Sequence, residues 1–278
     1  GQKMSKSRGN VIDPWDIFAS QGADALRWYF LSQGQPWTTR RVYEDGIREA
    51  ASQTLLTLWN VHSFFATYAS LDGWDPSGEV APADDRHVLD RWILSELDRT
   101  IAEMTDALEG FDALAAAGRL AGFIDDLSNW YVRRSRPRFW RSSDPAAHAT
   151  LHECLVTAST LLAPFCPFLA DELYVGLTGE SSVHLADWPT AGTRHDPVLA
   201  AQMVGVRRLV ALGRAARTDA KVKVRQPLSR ALVLHPGVEL SPELVAEVAS
   251  ELNVRDVEQI DTLSGLMTWR ATPNFRTL

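Results

Sequence analysis

Apolar residues along this 278-residue chain recur mostly at steps of three and four, the period of a helix with one buried face. The longest stripe, Ile47, Ala51, Thr54, Leu55, Leu58, Val61, Phe65 and Tyr68, predicts an amphipathic helix over 44–69. Leu89, Trp92, Ile93, Leu97, Ile101, Met104 and Leu108 predict a second over 87–108. Asp112 caps a third through Leu114, Ala117, Ala121, Ile124, Leu127 and Tyr131, and two more are expected over 145–162 and 167–179. Upstream, Asp13-Pro14 offers an N-cap with proline at the first helical position, followed by a short face of Trp15, Ile17 and Phe18. Gly22 ends that helix. Another follows over 23–32, with Leu26, Tyr29 and Phe30 inward, Asp24 on the other side, and Arg27 beside it as a structural ion-pair partner.

Long helices joined by short polar links pack as antiparallel neighbours around a shared apolar stripe. The fold class is therefore mainly α: residues 1–43 form a helical connector, and 44–180 an antiparallel helical bundle interrupted by a solvated Asp/Gly/Pro-rich connection at 71–86. Residues 181–197 read as an extended connection crossing back over the bundle, and 196–217 as a helix basic on its outer face. Alternation in Ala231-Leu232-Val233-Leu234-His235 predicts a strand, 242–252 a helix, and 254–260 and 266–271 two more strands. The stretch 181–278 is thus a connector and a small α+β module.

Composition changes this picture little. With 28 Lys and Arg against 35 Asp and Glu the formal net charge is −7, so any RNA contact has to come from local basic patches on an acidic body. Cys154 and Cys166 stand alone, which supplies neither a zinc ribbon nor a disulfide framework, and His184 has no neighbouring ligand. Buried reduced thiols and a cytoplasmic location are expected, with no metal site in this chain. No apolar run approaches the roughly 20 residues of a membrane span.

Three stretches carry chemistry. Lys3-Met4-Ser5-Lys6-Ser7-Arg8-Gly9-Asn10 packs cations, hydroxyls and a glycine as a phosphate-handling loop would. Between Arg133 and Arg141 fall five arginines and no acid, interleaved with or flanked by Trp130, Tyr131, Phe139 and Trp140. Arginine pairs with phosphate and aromatic rings stack on unpaired bases, so the segment fits single-stranded RNA; equally, its arginines could pair with bundle carboxylates such as Asp125 and Asp126. From Arg207 to Arg230 eight cations face one acid, Asp219, as a phosphate-contacting patch or a solvated helix face.

Residues 3–7, Lys-Met-Ser-Lys-Ser, resemble the signature loop of class I aminoacyl-tRNA synthetases, and Asn10-Val11-Ile12-Asp13-Pro14 continues the likeness. Asp-Leu-Ser-Asn-Trp-Tyr-Val-Arg-Arg-Ser-Arg-Pro-Arg-Phe-Trp at 126–140 is similar to the anticodon-binding helix of the isoleucyl branch, and 213–228, 251–254 and 273–278 resemble the same branch. The resemblance implies a loop that closes on ATP and its Mg2+, with Lys6 the main transition-state contact, Lys3 supporting it, Ser5 and Ser7 lesser donors and Met4 a packing anchor. It implies tRNA contacts from Trp130, Arg133, Arg134, Arg136, Arg138, Arg214, Arg217, Lys221, Lys223 and Arg225. The implied whole enzyme is a monomer that activates L-isoleucine with ATP and transfers it to tRNA(Ile). The loop two residues after Gly1, and the absence of a His-Ile-Gly-His motif, read as a portion of a longer protein that would not form adenylate alone. The valyl or leucyl relative and a stand-alone RNA-binding module are the alternatives.

Overall fold

A computed structural model of the chain describes residues 4, 5, 7, 11–234 and 239–262. It divides into two compact units, Gly1–His195 and Asp196–Leu278, so the first 43 residues and the connector to residue 195 belong with the bundle.

In the first unit, α1 (Pro14–Gln21) starts at Asp13, whose carboxylate accepts the Trp15 N–H at 2.9 Å. Of its predicted face only Ile17 is buried; Trp15 and Phe18 are exposed, edge to face at 5.5 Å. The next helix, α2 (Ala23–Ser32), is rotated from the expected orientation: Asp24, Ala25, Trp28 and Tyr29 are buried and Phe30 is exposed. Asp24 turns inward because its Oδ2 accepts the Leu169 N–H at 2.7 Å in the first turn of α9 (Pro167–Thr178), where helix N–H groups lack internal partners. Arg27 is structural, but it donates to the carbonyls of Pro164 and Phe165, at 2.9 Å each, rather than to an acid.

The 44–69 stripe resolves into α3 (Glu44–Ala51), a π-helical turn at Ser52–Leu56, and α4 (Thr57–Asp72), which ends at Gly73 in the left-handed conformation. At the centre lies α5 (Val88–Glu109). The sequence predicts one apolar face, yet its first turns are buried all round, including Asp90, Glu96 and Asp98. Each buried carboxylate meets an arginine from another element. Arg119 of α6 (Ala113–Asp125) reaches Glu96 at 3.0 Å, Arg194 of the connector reaches Asp98 at 2.6 Å, and Arg138 reaches Asp90 at 2.6 Å. Removing one partner of such a pair leaves a buried charge uncompensated, at about 3–5 kcal/mol. Only three residues separate α5 from α6, which makes them an antiparallel hairpin. A π-helical segment, Asp126–Val132, joins α6 to α7 (Arg133–Trp140), and α8 (Pro145–Leu162) packs on α5, α4 and α9.

The second unit sets α10 (Pro197–Asp219) against α11 (Pro242–Leu252) through Met203, Val206, Val210, Leu244, Val248 and Leu252. Their close approach depends on Gly213, where a Cβ would lie 2.5 Å from a Leu252 methyl. β1 (Leu228–Val233) begins three residues before the predicted strand and pairs in parallel with β2 (Val254–Gln259), Leu228 opposite Val254. Parallel neighbours need a crossover, and α11 supplies it. The strand expected over 266–271 lies outside the described residues.

Candidate RNA interface

Of the phosphate-handling loop, Lys3 and Lys6 lie outside the described residues. Met4 is exposed, and the Ser5 and Ser7 hydroxyls are hydrogen-bonded to each other at 2.7 Å.

The arginine and aromatic segment separates into two faces. Leu127, Tyr131, Ser135 and Phe139, four residues apart, are buried, and Phe139 meets Phe64 edge to face at 5.1 Å. Asn129, Arg133, Arg136 and Trp140, at steps of four, three and four, follow the opposite side, where Arg136 and Trp140 are exposed. Arg133 lies half-buried with its guanidinium 5.5 Å from the centre of the Trp130 ring, a cation–π distance. Its Nε donates to the Asn129 carbonyl at 2.8 Å. Arg134 is half-buried beside it.

Arg138 does not join them. Its two terminal nitrogens donate to the carboxylate of Asp90 at 2.7 and 2.6 Å, and its Nε to Asp144 at 2.8 Å. The Tyr131 hydroxyl donates to the same Asp90 at 2.7 Å. Burial by itself would lift the Asp144 carboxyl, but hydrogen bonds and charge from Arg138 outweigh it and hold the group below its ordinary range. Desolvation, then the Asp90 charge, pushes the Tyr131 phenol well up, so it stays a neutral donor. One arginine of the motif thus acts as a bolt through the bundle, all three of its guanidinium nitrogens engaged by Asp90 and Asp144. Asp90 and Asp144, rather than Asp125 or Asp126, are its acids. The sequence signal for Asp144 was its place as a cap before Pro145; Asp90 gave none.

In the second unit the predicted basic patch also divides. Arg217 is buried, 5% exposed, and donates to the carbonyls of Lys223 at 3.1 Å, Gln226 at 3.0 Å, Leu252 at 2.6 Å and Asn253 at 3.1 Å. It therefore shapes the 220–227 turn, in which Lys221 takes a left-handed φ of 56° and Lys221, Lys223 and Arg225 point out as exposed cations. Arg214, half-exposed, pairs with the buried Glu251.

Both cysteines are free and buried, and burial pushes both thiols up from their ordinary range. Among the described residues no group of three His, Cys, Asp or Glu could hold a metal ion, and no helix is long and apolar enough to cross a membrane.

Residues 90–232 match the family described as the anticodon-binding domain of tRNA ligase, and residues 1–39 the class I tRNA synthetases for I, L, M and V. Over its whole length the chain is 48% identical to the isoleucine–tRNA ligase of Streptomyces coelicolor and 45% identical to that of Thermus thermophilus, covering 27% and 28% of them. It thus spans about a quarter of the length of these relatives. Among solved structures it resembles the LeuRS of Agrobacterium radiobacter K84 in a ternary complex with tRNA and LeuAMS. That likeness has a TM-score of 0.56 and 28% identity, and covers 70% of this chain and 23% of the other.

Proposed function

Because the chain belongs to the anticodon-binding-domain family of tRNA ligases and carries the adjoining class I synthetase segment, we propose that it is the signature-loop and anticodon-binding portion of a cytoplasmic, monomeric isoleucine–tRNA ligase. The whole enzyme joins L-isoleucine to ATP, releasing pyrophosphate, and passes the activated aminoacyl group to tRNA(Ile). As the amino-acid carboxylate attacks the α-phosphate, negative charge grows on the departing pyrophosphate. Cations that meet that charge in the transition state lower the barrier more than equal contacts to bound ATP. Lys6 fills that role with support from Lys3, while the Ser5 and Ser7 hydroxyls donate to phosphate oxygens. Mg2+ travels with the triphosphate.

The observation that carries the RNA reading is the outer side of α7 and of the turn before it, where Arg133 lies against the Trp130 ring, Arg134 follows it, and Arg136 and Trp140 are exposed. Arginine supplies phosphate and base-edge contacts, and the indole supplies a stacking surface. Exposed Lys221, Lys223 and Arg225 of the second unit add phosphate contacts that position RNA without reading sequence. Binding of tRNA(Ile), and of the same tRNA with another anticodon, across a salt series tests this. Preference for the native anticodon, lost when Arg133, Arg134 and Arg136 become alanine, is expected. Equal binding of both tRNAs with the same salt slope would reduce the bundle to scaffold. The LeuRS likeness favours a leucine enzyme as second reading, at 28% identity against 48% for the isoleucine relatives. An amino-acid activation profile of the whole enzyme separates them.

A further inference from the structure

Trp140 ends α7 with 59% of its surface exposed, although its neighbour Phe139 is 1% exposed. Phe139 alone meets the packing demand of this turn, so the core does not account for the indole. Trp140 shares the outer stripe with Arg133 and Arg136, and the Arg141 guanidinium lies 6.0 Å from its ring centre. From Arg133 to Ser143 the chain carries no acid. The ring also stands on a rigid base. Two residues earlier Arg138 is fixed by Asp90 and Asp144, the Asp144 N–H donates to the Arg138 carbonyl at 3.0 Å, and the Arg141 N–H to that of Pro137 at 3.0 Å. A stacking platform held this way loses little conformational freedom when a ligand arrives.

Resting on the RNA reading above, we infer that Trp140, with Arg141 beside it, is a second base-stacking platform, taking an unpaired base of the bound RNA loop other than the one at Trp130. Ten residues of helix separate the two tryptophans, about 15 Å of rise, too far for one base or for two stacked neighbours to touch both rings. Arg136, between them, faces the phosphates that link the two bases. The occupant is single-stranded RNA because Arg136 and Arg141 stand on either side of the indole along the chain, with Arg141 over its ring, and an indole face accepts any base.

The test uses this chain and an anticodon stem-loop RNA of isoleucine tRNA carrying 2-aminopurine at one loop position at a time. Trp140→Ala is expected to weaken binding about 5- to 150-fold, the range for loss of one stacked base, with an unchanged salt slope. It should also abolish the quench at one loop position, and Trp130→Ala the quench at a different one. Trp140→Phe should restore most of both readouts. Arg136→Ala should instead flatten the salt slope by about 0.7 with every quench retained. Thermal unfolding identifies any variant that has lost its fold, and Trp140→Gln, polar at the same exposed place, then stands in for the alanine. If Trp140→Ala binds like the wild type and keeps every quench, the platform is refuted while the RNA reading survives. If the wild-type chain fails to bind the stem-loop, both fall together.

Discussion

Four arginines close together in sequence do two kinds of work. Arg138 is 16% exposed at its side chain and Asp90 not at all, while Arg136 stands in solvent two positions away. Changing Arg138 to methionine should therefore cost about 3–5 kcal/mol, because Asp90 is left buried without its charged partner, whereas Arg136→Ala should change the unfolding free energy by less than about 0.5 kcal/mol. Urea unfolding of the two variants checks this; equal effects would mean that Asp90 finds another partner. Arg217 follows the same logic in the second unit. Arg217→Met removes donors from four carbonyls, and since a hydrogen bond to a charged group contributes about 1.5–3 kcal/mol, a loss of at least about 2 kcal/mol is expected. Amide exchange at residues 221–226 would quicken with it.

Among the elements, α5 organises the bundle because three of its acids are turned inward and each is met from a different direction. The connector after α9 is held this way. Arg194 spans Asp98 and Glu153, its backbone N–H also donates to Asp98 at 3.0 Å, and the Trp188 indole N–H donates to Thr105 at 2.8 Å. Gly192 lies so close that a Cβ would sit 2.5 Å from the Asp98 Oδ2. Glycine-to-alanine changes in loops are commonly neutral or mildly stabilising when the backbone allows them, but Gly192→Ala should destabilise, by displacing a buried carboxylate from its arginine. A melting temperature lowered by several degrees is expected, at about 2–4 °C per kcal/mol for a chain of this size. An unchanged value would show that the connector gives way instead. The π-helical segments before α4 and α7 were invisible to a pattern analysis, since a wide turn that absorbs one extra residue hardly disturbs a stripe of threes and fours.

For the whole molecule, pH response follows from buried acids. Burial alone would raise Glu96, yet hydrogen bonds and charge from Arg99 and Arg119 overcome it and hold the carboxyl below its ordinary range, as Arg138 does for Asp144. A carboxyl lower in the folded than in the unfolded state contributes stability above its unfolded value, and that contribution drains away as pH falls through the folded value. Asp24 opposes this: burial raises its carboxyl, despite hydrogen bonds from Leu169 and the Arg27 charge, so its contribution weakens as pH rises from the ordinary carboxylate range. Hydrogen bonds hold Asp75, Asp112 and Asp171 low as well, so among the described residues the lowered carboxyls outnumber the raised one, and a net loss of stability is expected as pH drops below about 4.5. Glu96→Gln should flatten that acid limb while lowering stability at neutral pH, because Arg99 and Arg119 lose their buried charged partner. Denaturant unfolding from pH 3 to 7 measures both; a stability that rises on acidification would contradict the assignment.

Helical class, the position of nearly every helix, the capping of α1 and α6, and a basic, aromatic-flanked segment at 133–141 were legible in the sequence, because periodicity, N-cap residues and charge runs are local properties. Which charged groups stay at the surface was not. A guanidinium and a carboxylate 48 positions apart carry no local mark of each other, and an acid on a predicted solvent face reads alike whether water or Arg138 awaits it. Only the tertiary structure turned Asp24, Asp90, Glu96 and Asp98 inward, spent Arg138 and Arg217 on internal partners, and left Arg136 and Trp140 outside, because burying a charge is tolerable only where folding delivers its partner.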